Sequence, residues 1–219
     1  MALLIFDLDG TLIDSRLDLA HAVNATRKHL NRDDISHELI YSYVGNGAPV
    51  LIQRAMGPGA SEAEVETALE FFLDYYREHA VDYTVLYPGV FESLTQLHAA
   101  GVTLALLTNK PVGITNFILR HFGISDMMFR VYGGNSFPEK KPDPVGIRTI
   151  QAEAAAAGGI ADTETWMVGD SIVDIQTARN AGVRSCGVTY GFQPETFALL
   201  PPDVVVDRLE EFADRFLSR

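Results

Sequence analysis

Short apolar runs that end in polar residues alternate with amphipathic segments along this 219-residue chain, and this alternation limits the possible folds. The first run, Leu3–Phe6, leads directly into Asp7-Leu8-Asp9-Gly10-Thr11. Successive apolar residues are typical of a parallel strand that is covered on both faces. Strands that alternate with helices predict an α/β fold with a doubly wound, Rossmann-like parallel sheet. The runs that predict further strands are 102–107, 129–132, 165–168, 184–188 and 204–206.

Residues 15–82 show only helical spacing and separate the first two predicted strands. Ser15 with Asp18 predicts a capping box at the first helix of this segment, and Ser61 with Glu64 predicts a second one. A crossover between parallel strands needs a single helix, so this block is far too long for one. We therefore predict an α/β core domain of residues 1–14 and 83–219, with an α-helical cap domain inserted at 15–82.

Composition restricts the partners and the compartment. The formal net charge of -12 disfavours nucleic acid, because binding to a phosphate backbone depends on clustered Lys and Arg. The only cysteine, Cys186, cannot form an internal disulfide and suits a core position on a strand in a reducing cytoplasm. The run Met1–Phe6 has no basic start and is too short for a signal peptide or a membrane span. These features predict a cytoplasmic monomer or homodimer without a membrane or nucleic-acid partner.

Reactive residue types follow four of the predicted strand-to-loop junctions. Taken singly, each has a structural explanation: a turn for the Asp-Gly pair, a helix cap for a Thr or Asp, a solvated charge for a Lys. Because parallel strands end at one edge of a sheet, where such folds bind ligands, we expect the four junctions to converge. The residues concerned are Asp7, Asp9, Thr108, Lys141, Asp170 and Asp174.

These residue types are consistent with phosphoryl-transfer chemistry. Carboxylates favour a hard cation such as Mg²⁺, which also binds phosphate oxygens. A hydroxyl and an ammonium group would hold phosphoryl oxygens and supply local positive charge. One carboxylate can attack phosphorus, and a second can protonate the leaving oxygen and then activate water.

The four motifs resemble, in order and type, those of the haloacid dehalogenase superfamily, and the resemblance covers essentially the whole chain. It implies that Asp7 is the nucleophile and Asp9 the general acid/base. It further implies that Thr108, Asn109 and Lys141 bind the phosphoryl group. The implied Mg²⁺ ligands are Asp7, Asp170 and the backbone carbonyl of Asp9, with Asp174 as a further ligand or a water holder.

Within that superfamily, the segments around Val44–Gly47, 75–90 and 108–111 are most similar to the bacterial phosphatases that hydrolyse 2-phosphoglycolate. On physical grounds beside that similarity, a cap that closes over the site would present the amides of Gly45, Asn46 and Gly47, together with Arg54, to the carboxylate of a small substrate and would exclude water and large esters. Pyrophosphatases, sugar-phosphate phosphatases and phosphomutases share much of the pattern and remain alternatives. A receiver-like phospho-aspartate switch is the non-enzymatic alternative, although it lacks both a cap and a second acid beside the phosphate acceptor.

Overall fold

The strands of the main sheet form where the hydrophobic pattern predicts them, and two short strands, Ile13–Asp14 and Val85–Leu86, lie outside the predicted runs. The computed structural model describes residues 2–158 and 164–218. The strands are β1 (Leu3–Phe6), β2 (Ile13–Asp14), β3 (Val85–Leu86), β4 (Thr103–Leu107), β5 (Met128–Tyr132), β6 (Thr165–Gly169), β7 (Arg184–Val188) and β8 (Val204–Val206). The helices are α1 (Arg16–His29), α2 (His37–Tyr41), α3 (Ala48–Met56), α4 (Glu62–His79), α5 (Val90–Ala99), α6 (Val112–His121), α7 (Val145–Ala156), α8 (Ile172–Ala181) and α9 (Leu209–Leu217).

Strand β1 is central in the main sheet. Across the described residues the strand order of this sheet is β5-β4-β1-β6-β7-β8, and its pairings are parallel. The chain adds β4 and β5 on one side of β1 and then returns to add β6, β7 and β8 on the other side. This reversal places a topological switch point beside β1, where open α/β sheets bind ligands. The predicted doubly wound parallel sheet is confirmed.

Helices cover both faces of the main sheet, which explains why its strands are apolar at successive positions. On one face, Leu3 and Ile5 of β1 belong to a buried cluster with Ile147 of α7. On the other face, the ring of Trp166 in β6 lies 5.4 Å from that of Phe212 in α9. Burying an aliphatic or aromatic side chain of this size stabilises the fold by roughly 1.5–3 kcal/mol.

The segment 15–82 is helical apart from its turns and loops, as predicted. The capping box at α4 is confirmed: Ser61 N donates to Glu64 Oε2 at 2.9 Å, and Glu64 N donates to Ser61 Oγ at 3.3 Å. The stretch between α2 and α3 contains Gly45 and Gly47 at φ values of 113° and 85°. Glycine suits both positions because other residues rarely adopt a positive φ.

The capping box predicted at α1 is wrong. Ser15 is the N-cap residue, but its side chain makes no capping hydrogen bond. The Asp18 carboxylate instead accepts hydrogen bonds from Tyr83 N at 3.0 Å, Thr84 N at 2.8 Å and Thr84 Oγ1 at 2.7 Å. Asp18 is buried, and a buried carboxylate is stable only with several donors. The returning chain provides these donors, and local sequence spacing could not reveal them.

The chain forms two compact units. One comprises Met1–Ile13 and Leu86–Arg219, and the other comprises Asp14–Val85. We call them the α/β unit and the helical unit. The corresponding ranges expected from the sequence are 1–14 with 83–219, and 15–82.

Two further observations bear on the composition. Cys186 is fully buried on β7, as expected for a core residue, and it is a free thiol. In the described part of the chain, no helix combines the length and the apolar character that crossing a membrane would require.

Candidate active site

The three central strands end at the same level. The last residue of β1 pairs with Leu106 of β4 and Val168 of β6, and Asp7 N donates to the Val168 carbonyl at 2.9 Å. The chain therefore leaves the sheet at one edge at Asp7, Thr108 and Asp170. The register, set by the buried pattern of the strands, is what brings these distant residues to the same edge.

Lys141 joins two carboxylates at this edge. Its Nζ lies 2.8 Å from Asp7 Oδ1 and 2.7 Å from Asp174 Oδ1. The second oxygen of Asp174 accepts hydrogen bonds from Ser171 Oγ at 2.9 Å and Ser171 N at 3.2 Å. All three charged side chains are buried, so ion pairs and hydrogen bonds are needed to offset the loss of solvation.

The Asp170 carboxylate is held by hydrogen bonds from backbone amides, whereas Asp7 and Asp174 are held by a lysine. Its Oδ2 accepts a hydrogen bond from Phe192 N at 2.6 Å, and Thr11 Oγ1 lies 3.5 Å from its Oδ1. A Cβ atom at Gly10 or Gly191 would collide with the Asp170 side chain, so both positions require glycine. Gly10 also has a φ of 82°. Asp170 does not cap α8, because the N-cap residue is Ser171.

Burial perturbs the titration of these groups. It raises the pKa of Asp7 from 3.8 to about 6, against the lowering effect of Lys141 and with a further rise from Asp174. Burial, with Asp174 and Asp7, raises the pKa of Asp170 well above its usual value. For Lys141, burial alone would lower the pKa, but Asp174 and Asp7 more than offset it, so the pKa is raised. The lysine therefore remains protonated, while Asp7 and Asp170 resist losing their protons.

This charge arrangement fits a divalent cation. Asp7, Asp170 and Asp174 each offer a carboxylate oxygen, and these oxygens lie within 4.8 Å of one another. The ammonium group of Lys141 contacts Asp7 and Asp174, and a backbone amide holds Asp170, so full ionisation of the three acids would leave excess negative charge in a buried space. A cation with oxygen ligands would remove that cost and displace the protons. These three residues are therefore the ones that could hold Mg²⁺.

Asp9 has a different partner from Asp7. Lys110 Nζ donates to Asp9 Oδ1 at 2.9 Å and to Asp9 Oδ2 at 3.1 Å. The Lys110 side chain is only 3% exposed and that of Asp9 only 14% exposed. The group of three clustered carboxylates does not include Asp9. The two acids of the first motif thus occupy separate environments although one residue lies between them.

The remaining strand-end residues support the loops of the site. Thr108 is buried, and its Oγ1 accepts a hydrogen bond from Lys110 N at 3.3 Å. It does not cap α6, whose N-cap residue is Pro111. Asn109 Nδ2 donates to the Lys141 carbonyl at 3.1 Å, which ties the loop after β4 to the loop that carries the central lysine.

The other predicted substrate contacts lie in the helical unit. Gly45, Asn46 and Gly47 form the turn before α3, and Gly47 is the N-cap residue of that helix. Arg54 is exposed on α3 and lines a surface cavity of about 600 Å³ with Tyr43 and other residues of the same unit. Contacts of these four residues with substrate stay predictions.

Sequence reasoning missed Lys110 as a functional candidate. The signal was available, since Lys110 follows Thr108 and Asn109 at the end of a predicted strand. The amides of Phe192 and Gln193 were also missed, because a backbone donor has no residue-type signature. Only the tertiary contact of the loop after β7 with Asp170 reveals them.

Comparison with known proteins agrees with this geometry. The family model of haloacid dehalogenase-like hydrolases matches residues 4–188. The chain is 42% identical to a phosphoglycolate phosphatase of Vibrio vulnificus, over 97% of this chain and 94% of that protein. A phosphoglycolate phosphatase of Pseudomonas putida is 39% identical, over 94% of this chain and 76% of its own length.

A solved structure shows the same similarity in three dimensions. The crystal structure of a predicted phosphoglycolate phosphatase from Haemophilus somnus has a TM-score of 0.90 and 35% identity, and the match covers 99% of this chain and 98% of that one. The family match spans most of the chain and contains all the strand-end residues described above. This chain therefore belongs to the haloacid dehalogenase-like hydrolase family.

Proposed function

We propose that this hydrolase is a Mg²⁺-dependent phosphatase that converts 2-phosphoglycolate to glycolate and phosphate through an aspartyl-phosphate intermediate. The observation that carries the proposal is the pairing of two acids with two lysines at one sheet edge. Asp7 belongs to the carboxylate cluster and pairs with Lys141, whereas Asp9 lies outside the cluster and pairs with Lys110. A nucleophile and a proton carrier need different environments, and this arrangement supplies them.

In the first step, an oxygen of Asp7 attacks phosphorus while the bond from phosphorus to the ester oxygen breaks. The proton of Asp9 moves to that ester oxygen, so the products are the free alcohol and the acyl phosphate of Asp7. In the second step, a water oxygen attacks phosphorus and transfers a proton to Asp9. The Asp7 carboxylate leaves, phosphate is released, and both acids return to their starting states.

Two further tasks at this edge are phosphoryl binding and metal binding. Lys141 orients Asp7 and, with Thr108, binds phosphoryl oxygens. Asp170 and Asp174 hold Mg²⁺ together with Asp7, and we propose the backbone carbonyl of Asp9 as a further ligand. When bound, the ion would neutralise negative charge on the phosphoryl oxygens.

Support for 2-phosphoglycolate comes from two sources. Curated relatives about 40% identical over nearly the whole chain are phosphoglycolate phosphatases. The helical unit also offers a turn with glycines at positive φ before α3, where backbone N–H groups suit an anion such as a carboxylate. We propose that Gly45, Asn46, Gly47 and Arg54 contact that carboxylate.

The test is phosphate release with Mg²⁺ from a panel of 2-phosphoglycolate, pyrophosphate and several sugar phosphates. We expect kcat/KM for 2-phosphoglycolate to exceed that for the other substrates by at least about 10-fold, since a placed carboxylate contact contributes on that scale. Chelation with EDTA should abolish the activity. A clear preference for pyrophosphate or a sugar phosphate would overturn the substrate, and no phosphate release from the panel would overturn the function.

A companion measurement separates a phosphatase from a phospho-aspartate switch. Acid quenching during turnover of a substrate with a labelled phosphoryl group should trap the label on Asp7. The labelled phosphoenzyme should disappear within seconds once the substrate is exhausted. A stoichiometric label that persists for minutes without turnover would instead indicate a switch.

A further inference from the structure

We propose that Lys110 is a positioning residue, which holds the Asp9 carboxyl group in the orientation needed for proton transfer. This inference rests on the phosphatase function proposed above. Lys110 is neither the nucleophile nor one of the phosphoryl-binding groups, and it is not a member of the carboxylate cluster.

The contact between the two side chains is bidentate and enclosed. One ammonium group donates to both oxygens of Asp9, at 2.9 and 3.1 Å. Two hydrogen bonds from one donor restrict rotation of the carboxyl group about its Cβ–Cγ bond, whereas one bond would leave that rotation free. Because the Lys110 side chain is 3% exposed, water competes little for the ammonium group.

The backbone of Lys110 is itself fixed. Its N–H donates to Thr108 Oγ1 at 3.3 Å, and its carbonyl accepts from Gly134 N at 2.8 Å. The neighbouring Gly133 approaches so closely that a Cβ atom there would collide with the Lys110 carbonyl and with Val112. Lys110 is therefore anchored by the loops that follow β4 and β5, and its ammonium group is a fixed reference point for Asp9.

Asp9 needs such a reference because it lies beyond the end of β1, where an isolated β-bridge to Ile13 pairs its backbone but does not orient its carboxyl group. It follows the end of β1 by three residues and precedes Gly10, whose φ is 82°. A proton donor must lie within hydrogen-bond reach of the leaving oxygen, and a displacement of about 1 Å can cost roughly 100-fold in rate. Lys141 cannot perform this task, because its ammonium group is already engaged by Asp7 and Asp174.

The test compares substrates that differ in their need for a proton donor. An alkyl phosphate has a poor leaving group that must be protonated, whereas p-nitrophenyl phosphate releases a stable phenolate. The measured quantity is kcat/KM, which covers the steps through formation of the phosphoenzyme and excludes its hydrolysis. The alkyl substrate is whichever alkyl phosphate the wild-type enzyme hydrolyses fastest.

We expect Lys110→Met to lower kcat/KM by about 100-fold for the alkyl phosphate and by less than about 5-fold for p-nitrophenyl phosphate. Lys110→Arg should recover most of the loss, because a guanidinium can also donate two hydrogen bonds to a carboxylate. In an Asp9→Asn background, Lys110→Met should cost less than about 3-fold, since the residue on which it acts is already altered.

Lys28→Met is the matched control. Lys28 forms an exposed ion pair with Asp34, with its side chain 69% exposed, and its replacement should leave both substrates unaffected. Thermal unfolding and the stabilisation by Mg²⁺ check that each variant is folded. If Lys110→Met unfolds the protein, Lys110→Gln supplies the same substrate comparison, and Lys110→Arg remains the variant expected to keep the activity.

Equal losses for the two substrates would overturn the inference, because a general structural defect does not distinguish leaving groups. Additive losses in the Asp9→Asn background would overturn it as well. A wild-type enzyme that hydrolyses neither substrate would refute the proposed phosphatase function instead, so the two failures are distinguishable.

Discussion

Asp7 and Asp9 have only Leu8 between them, yet different lysines hold them. We expect Asp7→Asn to lower kcat by about 10³-fold or more, because an amide is a poor nucleophile toward phosphorus. Steady-state kinetics and acid-quench labelling measure this, and neither should detect a phosphoenzyme in the variant. Substantial turnover by correctly folded Asp7→Asn protein would show that the nucleophile is elsewhere.

Cys186 supplies a second prediction at the level of one residue. Burial raises the pKa of this thiol to about 12, and the side chain is inaccessible. Because the thiolate is the reactive form, the folded protein should react with a thiol reagent only as fast as it opens or unfolds. The check is the labelling rate across a urea titration, with fully unfolded protein as the reference. Rapid labelling of one thiol per chain without urea would contradict the burial.

Among the helices, α4 begins with a capping box whose hydrogen bonds should stabilise the folded protein. Ser61→Ala removes the hydroxyl that accepts from Glu64 N, and it should lower the free energy of unfolding by about 1 kcal/mol. Urea unfolding followed by circular dichroism measures the difference.

Thr67→Ala on the same helix is the control, since its hydroxyl donates to the Ala63 carbonyl within the helix and satisfies no end group. It should change the free energy of unfolding by less than about 0.5 kcal/mol. Equal destabilisation by the two variants would mean that the cap is not the stabilising feature.

For the whole molecule, the buried acids predict how stability depends on pH. The folded protein binds the Asp7 proton more tightly than the unfolded chain does, because the pKa rises from 3.8 to about 6 on folding. The stabilisation from that proton is complete below pH 3.8 and is lost as the pH rises through about 6. Without metal, wild-type stability should therefore fall relative to Asp7→Asn by roughly 2.5 kcal/mol between pH 4 and 7.

Chemical denaturation of both proteins in EDTA at several pH values gives this difference directly. The comparison cancels the contributions of carboxylates that lie away from the buried cluster. A difference that stays constant with pH would show that Asp7 is not perturbed.

Magnesium should reverse that loss. A ligand that binds only the folded state stabilises it by RT ln(1 + [L]/Kd), which is about 2.7 kcal/mol at 100 times Kd. We expect millimolar Mg²⁺ at pH 7 to raise the melting temperature of the wild type by several degrees, and Asp170→Asn to lose most of this shift. Sodium at matched ionic strength is the control for screening. An equal shift in Asp170→Asn would remove Asp170 from the metal site.

Much of the fold follows from sequence because its causes are local. The apolar runs of β1, β4 and β6 need burial on both faces, and Ser61 with Glu64 can satisfy a helix end without outside help. The residue types at the strand ends likewise indicate phosphoryl-transfer chemistry from the sequence alone. Parallel strands carry those residues to a common edge, so the convergence of Asp7, Thr108 and Asp170 was predictable.

The tertiary structure decided which groups pair at that edge, because pairing depends on loops that meet only after folding. Asp18 has the spacing of a capping residue, yet it binds Tyr83 and Thr84 of the returning chain, since a buried carboxylate is most stable where donors are densest. Lys141 bridges Asp7 and Asp174, and Lys110 is left to hold Asp9. Sequence by itself determined the sheet, its order of helices and strands and the acids at its edge, while packing of the loops determined the partner of each acid.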